Sequence, residues 1–196
     1  MTEMRLRSLL LASIFIIAML TTSSFAIKTV TYTSELPRET VDWEGYHTLP
    51  KFDPALGNLV SVNFTASLNA TMDGEAENNA NSWFYDAYFT ADADMYVDML
   101  NGEKLTLQLN LETDHEDLAP STPPYLGGPD YFAASDAGDT SGFIYYNDAR
   151  KDDFVGTGNI NLKTKSTATS KVENSGNSYF LIMTYSWTNA SITYTY

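Results

Sequence analysis

The chain has 196 residues, 25 acidic against 11 basic, a net charge of −14 and no cysteine. Without cysteine there is no disulfide, thiolate metal site or lipidated thiol. An acidic surface repels nucleic acid and anionic lipid, whose capture needs Lys/Arg patches, so both are excluded as partners.

The N-terminus reads as a secretory leader. Arg5 and Arg7 form a positive start, Leu9 to Leu20 an apolar run, and Ser24-Phe25-Ala26 a small-x-small cleavage site. The run is shorter than the roughly 20 apolar residues that span a bilayer. The expectation is a signal peptide over 1–26 and one secreted domain over 27–196, with no membrane span in the mature chain. Loss of one acid and two bases with the leader takes the net charge from −14 to −15.

From residue 27 onward the pattern has period 2, and no segment keeps a helical period. "IKTVTYTS" (27–34) alternates, and "ELPRET" after it reads as a linker because of its proline and mixed charges. In "NLVSVNFTASLNATM" (58–72), Val60, Val62, Phe64, Ala66, Leu68, Ala70 and Met72 share one face, with small polar residues on the other. "NSWFYDAYFTADADMYVDML" (81–100) mixes aromatics and Asp, with Trp83, Tyr85 and Phe89 on one parity and Phe84, Tyr88 and Tyr96 on the other. "LTLQLNLE" sets Leu105, Leu107, Leu109 and Leu111 on one face. Segments 141–148, 159–173 and 179–196 complete the strands. Turns are expected at Asp73-Gly74, Asn101-Gly102, Gly127-Gly128-Pro129, Gly138 and Ser175-Gly176-Asn177. Residues 112–140 hold four of the seven prolines and a cluster of acids, which suits a long surface excursion. About eight to ten strands at this spacing predict an all-β fold, an antiparallel two-sheet sandwich of jelly-roll-like form.

Candidate site residues are few. His47 and His115 are the two histidines. His47 reads as a surface or half-buried strand residue, and His115 lies among Asp114, Glu116 and Asp117 in a solvated acidic loop. No nucleophile elbow, zinc-binding helix motif or phosphate loop is present. Calcium is the metal that the composition favours, since hard cations take carboxylate oxygens. Asp92, Asp94, Asp98, Asp136 and Asp139 are the candidate ligands, although no EF-hand spacing joins them. No other cofactor is implied. Three N-x-[ST] sequons mark Asn63, Asn69 and Asn189 for glycosylation.

"TLPKFDPALGNLVSV" (48–62), an alternating strand and "GEAEN" (74–78) resemble the opening signature of the choice-of-anchor E domain. "GDTSGFIYYND" (138–148), "FVGTGNINL" (154–162) and "ASITYTY" (190–196) resemble the remainder. The resemblance implies a β-rich surface protein of a prokaryote, with no catalytic residues to carry over. Members carry alternative C-terminal sorting anchors. None follows Tyr196 in this sequence, so retention by assembly is the expectation.

The expected function is that of a non-enzymatic structural protein, secreted or at the cell surface. It would assemble into a sheath, filament or matrix by strand addition. Its partner would be a second copy, another surface protein or a glycan. In a donated arm, Val30 and Tyr32 would be the anchors. A carbohydrate-binding sandwich using exposed aromatics is the alternative. A hydrolase with its site within 112–140 is a third, weaker reading.

Overall fold

The structure is a computed structural model that describes residues 27–121 and 128–196. The leader expected over 1–26 lies outside the described residues. So does Gly127 of the expected Gly-Gly-Pro turn.

Among the described residues nine strands run in order: β1 (Thr29–Thr40), β2 (Trp43–Pro50), β3 (Ser61–Asn78), β4 (Phe84–Asp98), β5 (Lys104–Glu112), β6 (Glu116–Leu118), β7 (Tyr131–Tyr146), β8 (Asn159–Glu173) and β9 (Ser178–Thr195). One sheet has the order β1-β9-β3-β7, the other β2-β8-β4-β5, with short β6 beside β4. The antiparallel pairs are nested: β4 with β5, β3 with β7, β2 with β8, β1 with β9. That nesting describes one long hairpin rolled into two layers, the jelly-roll topology. The expected fold is therefore the observed one.

The core lies between the layers, where period-2 alternation delivers one face of each strand. Strand β3 contributes Val62, Phe64, Leu68 and Met72, all fully buried. Strand β4 contributes Phe89, Met95 and Val97, and β8 contributes Ile160 and Leu162. Tyr194 closes one end, its ring tilted against Phe52 at 5.6 Å and its hydroxyl donating to the Pro50 carbonyl at 2.8 Å. Phe52 belongs to the "FDPALG" segment. There Asp53 accepts from the Ala55 amide at 2.9 Å and Gly57 stands at φ 146°. This is the strand-entry turn whose residues the sequence makes legible.

Three expectations need correction. Asp73-Gly74 is not a turn, because β3 runs on through it to Asn78. A Cβ at Gly74 would lie 2.4 Å from the ring of Phe89, which itself stacks on Phe132 at 4.6 Å. The glycine admits an aromatic ring, with no role in bending the chain. Likewise Gly138 lies inside β7, where Gly138 and Gly142 make room for Leu109 and Leu107 of the facing β5. Much of the supposed excursion 112–140 is thus strand, with β6 and the first half of β7 within it.

The third correction concerns "ELPRET", which continues β1 to Thr40 where a linker was expected. The ladder with β9 shifts register between Leu36 and Glu39, so Pro37 falls at a bulge of an edge strand. A residue with no N–H is tolerated there.

Toward the β1–β2 side the interior turns polar. Ser166 and Ser186 share a hydrogen bond across the layers at 2.7 Å, Ser170 and Thr184 another at 2.7 Å, and Trp43 Nε1 donates to Ser186 at 2.9 Å. Small hydroxyl side chains let β8 and β9 approach closely while every inward oxygen of these pairs finds a partner.

Gly74→Ala should destabilise the fold by about 1–3 kcal/mol, the usual cost of overpacking a core. Chemical denaturation would show a lowered midpoint with an unchanged slope, and pairing the change with Phe89→Leu should restore part of the loss.

Candidate assembly surface

The five carboxylates proposed for calcium do not converge. Asp92, Asp94 and Asp98 lie along the solvent face of β4, where Asp94 accepts from Gln108 Nε2 at 2.9 Å and Asp98 pairs with Lys104 at 3.4 Å. Asp139 lies on the solvent face of the other sheet, opposite Asn69. Asp136 is turned inward at the seam, where its Oδ2 accepts from the Glu112 amide at 2.9 Å and ties β7 to β5. No group of three or more His, Cys, Asp or Glu among the described residues is arranged to hold a metal. Period-2 geometry explains the separation. Alternate aspartates on one strand stand about 7 Å apart, too far to chelate without a loop bringing others in.

The two histidines have opposite environments. His47 was expected near the surface but is fully buried in β2. Its Nε2 lies 2.9 Å from Thr188 Oγ1 and its Nδ1 3.2 Å from Ser34 Oγ. Burial pushes its pKa down to about 4, so the ring is neutral at neutral pH. Two hydroxyls and a dry site make a structural histidine that joins β2 to β9 and β1. His115 is exposed, stacked on Tyr88 at 4.0 Å, with Nδ1 2.7 Å from Asp86 and Nε2 3.4 Å from Glu112. The hydrogen bond to Asp86 leads in raising its pKa. Asp114, Glu116 and Asp117, its sequence neighbours, line a groove of about 560 Å³ with Tyr131 and Ser135. Asp117 within it accepts from the Asp86 amide at 2.9 Å.

All three sequons fall on the solvent face of one sheet. Asn63 and Asn69 lie on β3, and Asn189 lies on the adjoining β9, opposite Ser67. Asn69 is flanked by Trp187 and Asp139, and its Nδ2, the atom that would carry a glycan, is covered and without a hydrogen-bond partner. Asn189 is exposed and Asn63 half-buried, so Asn189 is the sequon best placed for modification in the folded chain. Beside it is a shallow groove of about 350 Å³, floored by Thr65, Ser67, Ser141 and Asn189. Phe143, 69% exposed, stands next to it on β7.

The aromatics of β4 do not keep the parity the sequence suggested. A register irregularity between Phe84 and Ala87 coincides with Asp86 at φ 64°. This bulge turns Trp83 and Tyr85 out to solvent, stacked at 6.2 Å, while Phe89 enters the core. A non-glycine residue at positive φ is most often Asn or Asp, which is the one sequence signal Asp86 offered. Phe84 covers the β8–β9 hairpin, where Gly176 at φ 50° leaves room for its ring.

Val30 and Tyr32, named as anchors of a donated arm, pack against the core of their own chain. Tyr32 meets Tyr194 edge-on at 6.2 Å. The arm is therefore a built-in edge strand, and a different edge is left open. Strand β1 pairs with β9 from Thr195 back to Tyr185, and the Val41 amide donates to the Thr184 carbonyl at 3.1 Å. There the chain crosses to the other sheet. Among the described residues, Ser178–Met183 of β9 keeps β3 on one side and pairs with no strand on the other. In this run Tyr179 is 56% exposed, Phe180 50%, Leu181 45% and Met183 43%. No charged side chain occurs anywhere from Asn174 to Tyr196. Sequence reasoning missed this edge, although the signal was present: "YFLIM" is apolar on both parities, which a strand with two covered edges and one wet face does not need.

No protein-family model and no curated protein matches the chain. Among solved structures it is similar to two particles of infectious bursal disease virus. The Gx strain structure has 12% identity and a TM-score of 0.17 over 88% of this chain and 42% of that one. The T13 viral particle has 9% identity and a TM-score of 0.17 over 86% and 39%. The chain thus spans about two-fifths of the length of the structures it matches, and overlap at this level supports no conclusion about function.

The low pKa of His47 sets a pH window. Below about 6.5 the unfolded chain takes up a proton that the folded chain refuses until about pH 4. Stability therefore falls as pH drops through that interval, by at most about 1.4 kcal/mol per unit. His115, its pKa raised, works in the opposite sense: its contribution is present below the ordinary histidine value and lost as pH rises through the folded one. In a His115→Gln background, the melting temperature should drop between pH 7 and 5. Adding His47→Gln should flatten that slope.

Proposed function

We propose that this chain is a non-enzymatic structural protein of the cell exterior that joins its neighbours through sheet edges. The observation that carries the reading is the uncharged, unpaired run Ser178–Met183 at the edge of a two-layer sandwich. Natural β proteins blunt such edges with charge, proline or a bulge, because exposed N–H and C=O groups template pairing with another chain. Here the neighbouring β1 carries those devices in Pro37, its bulge and Arg38, and β9 carries none. The signal-like N-terminus gives the address, and the resemblance to choice-of-anchor E domains agrees with a surface role. Asn189 and its sequon companions suit a face turned to solvent in the assembled state.

A second reading, carbohydrate binding, is favoured by the hydroxyl-floored groove beside Phe143. Aromatic faces stack on apolar patches, and hydroxyls and amides set orientation.

One measurement separates the two. Native protein taken from the cell exterior and resolved by size with in-line light scattering should run as a dimer or larger at physiological salt. A monomer retained on a polysaccharide column, with retention lost in Phe143→Ala, would reverse the assignment.

A further inference from the structure

We infer that the open edge of β9 is a homotypic docking site, taken by the same edge of a second copy in antiparallel register about Leu181. The inference rests on the assembly reading and names its partner and register.

Backbone direction comes first. Along a β-strand, the N–H and C=O of one residue point to the same side, and successive residues alternate. The Thr184 carbonyl receives the Val41 amide on the β1 side, and the Thr195 carbonyl receives the Val60 amide on the β3 side. Even-numbered residues of β9 therefore face the β1 side. Past Thr184 these are Ile182 and Phe180, whose polar groups point into the vacancy.

An antiparallel twofold through Leu181 makes Phe180 and Ile182 of the two copies a hydrogen-bonded pair. Leu181 then sits opposite its own copy, and Tyr179 opposite Met183. Each pairing sets aromatic against aliphatic or leucine against leucine, the combinations that stabilise cross-strand neighbours. The two four-stranded sheets merge into one of eight.

Self-complementary pairing favours a second copy over an unrelated strand, and the lack of charge on this edge permits it. Two chains of net charge −14 repel, and they meet at short range where neither presents charge. Strand β9 has no charged residue, whereas the corresponding uncovered stretch of β8 beyond Ser166 carries a Lys171–Glu173 ion pair. The four half-exposed side chains offer roughly 400 Å² per copy, since aromatics carry about 150–250 Å² each. A standard interface takes about 800 Å² per partner. The edge itself supplies about half of that figure, which puts the contact at the small end of specific interfaces.

The absence of cysteine makes the test direct. Opposed residues of a non-hydrogen-bonded pair lie about 4.5 Å apart at Cα, within reach of a disulfide. Full-chain mature protein with Leu181→Cys, oxidised mildly, should run mostly as a covalent dimer on a non-reducing gel. Thr106→Cys, exposed on the other sheet, should stay monomeric. Phe180→Pro added to Leu181→Cys keeps the β3 ladder, because that amide points away from β3, and should abolish the cross-link with the circular dichroism of the fold retained. If Leu181→Cys cross-links no more than Thr106→Cys while wild type is a dimer or larger by light scattering, the β9 edge is overturned and the assembly reading stands. If wild type is also monomeric at every concentration, both fall.

Discussion

The two-sided pairing of β3 is the constraint on which the rest of the molecule depends. It runs unbroken for the 16 residues from Val62 to Glu77 between β7 and β9, and its alternation decides which face of both neighbours is core. A slip of one residue would invert that face for three strands at once. Because β9 matches β3 along its whole length while β1 turns away at Thr40, the same ladder that builds the sheet leaves part of it uncovered. The uncovered edge is a by-product of unequal strand lengths.

The two layers reach close packing by different means at their two sides. On the β5–β7 side, leucines of one layer sit over glycines of the other, at Gly138 and Gly142. On the β1–β2 side, serines and threonines of β8 and β9 meet through hydroxyl pairs, with His47 and Trp43 wedged among them. The first arrangement is governed by volume and the second by hydrogen-bond satisfaction, so they respond differently to conditions. Acid touches the second side through the buried imidazole of His47.

The strands were legible where side-chain alternation is stark, as in β3 and β5, and the jelly-roll class followed from their number and spacing. What stayed hidden shares one cause: glycine and proline carry several meanings. Gly74 reads as a turn residue but serves Phe89, Gly138 serves Leu109, and Pro37 occupies a bulge within a strand. Each role is set by a residue distant in sequence, which local pattern cannot supply. The calcium candidates stand apart for a related reason. Proximity along the chain suggested a cluster, but β geometry spreads alternate carboxylates along a strand and sends Asp136 and Asp139 to opposite faces.

Charge distribution gives the open edge its selectivity. An acidic protein with an exposed apolar edge would aggregate without order if the edge were long, or if both layers offered one. Here the apolar run is the five residues from Tyr179 to Met183, and the facing layer carries an ion pair where it too is uncovered. Arg38 closes the upper boundary, lying 3.7 Å over the ring of Tyr185 and donating to Thr71 at 2.9 Å. A strand sliding past Met183 meets β1, whose Val41 amide already donates to the Thr184 carbonyl. Repulsion over most of the surface, β1 as a stop at one end and a short neutral ladder between them narrow the pairings open to this edge. Such discrimination comes as much from penalising wrong pairings as from strengthening the right one.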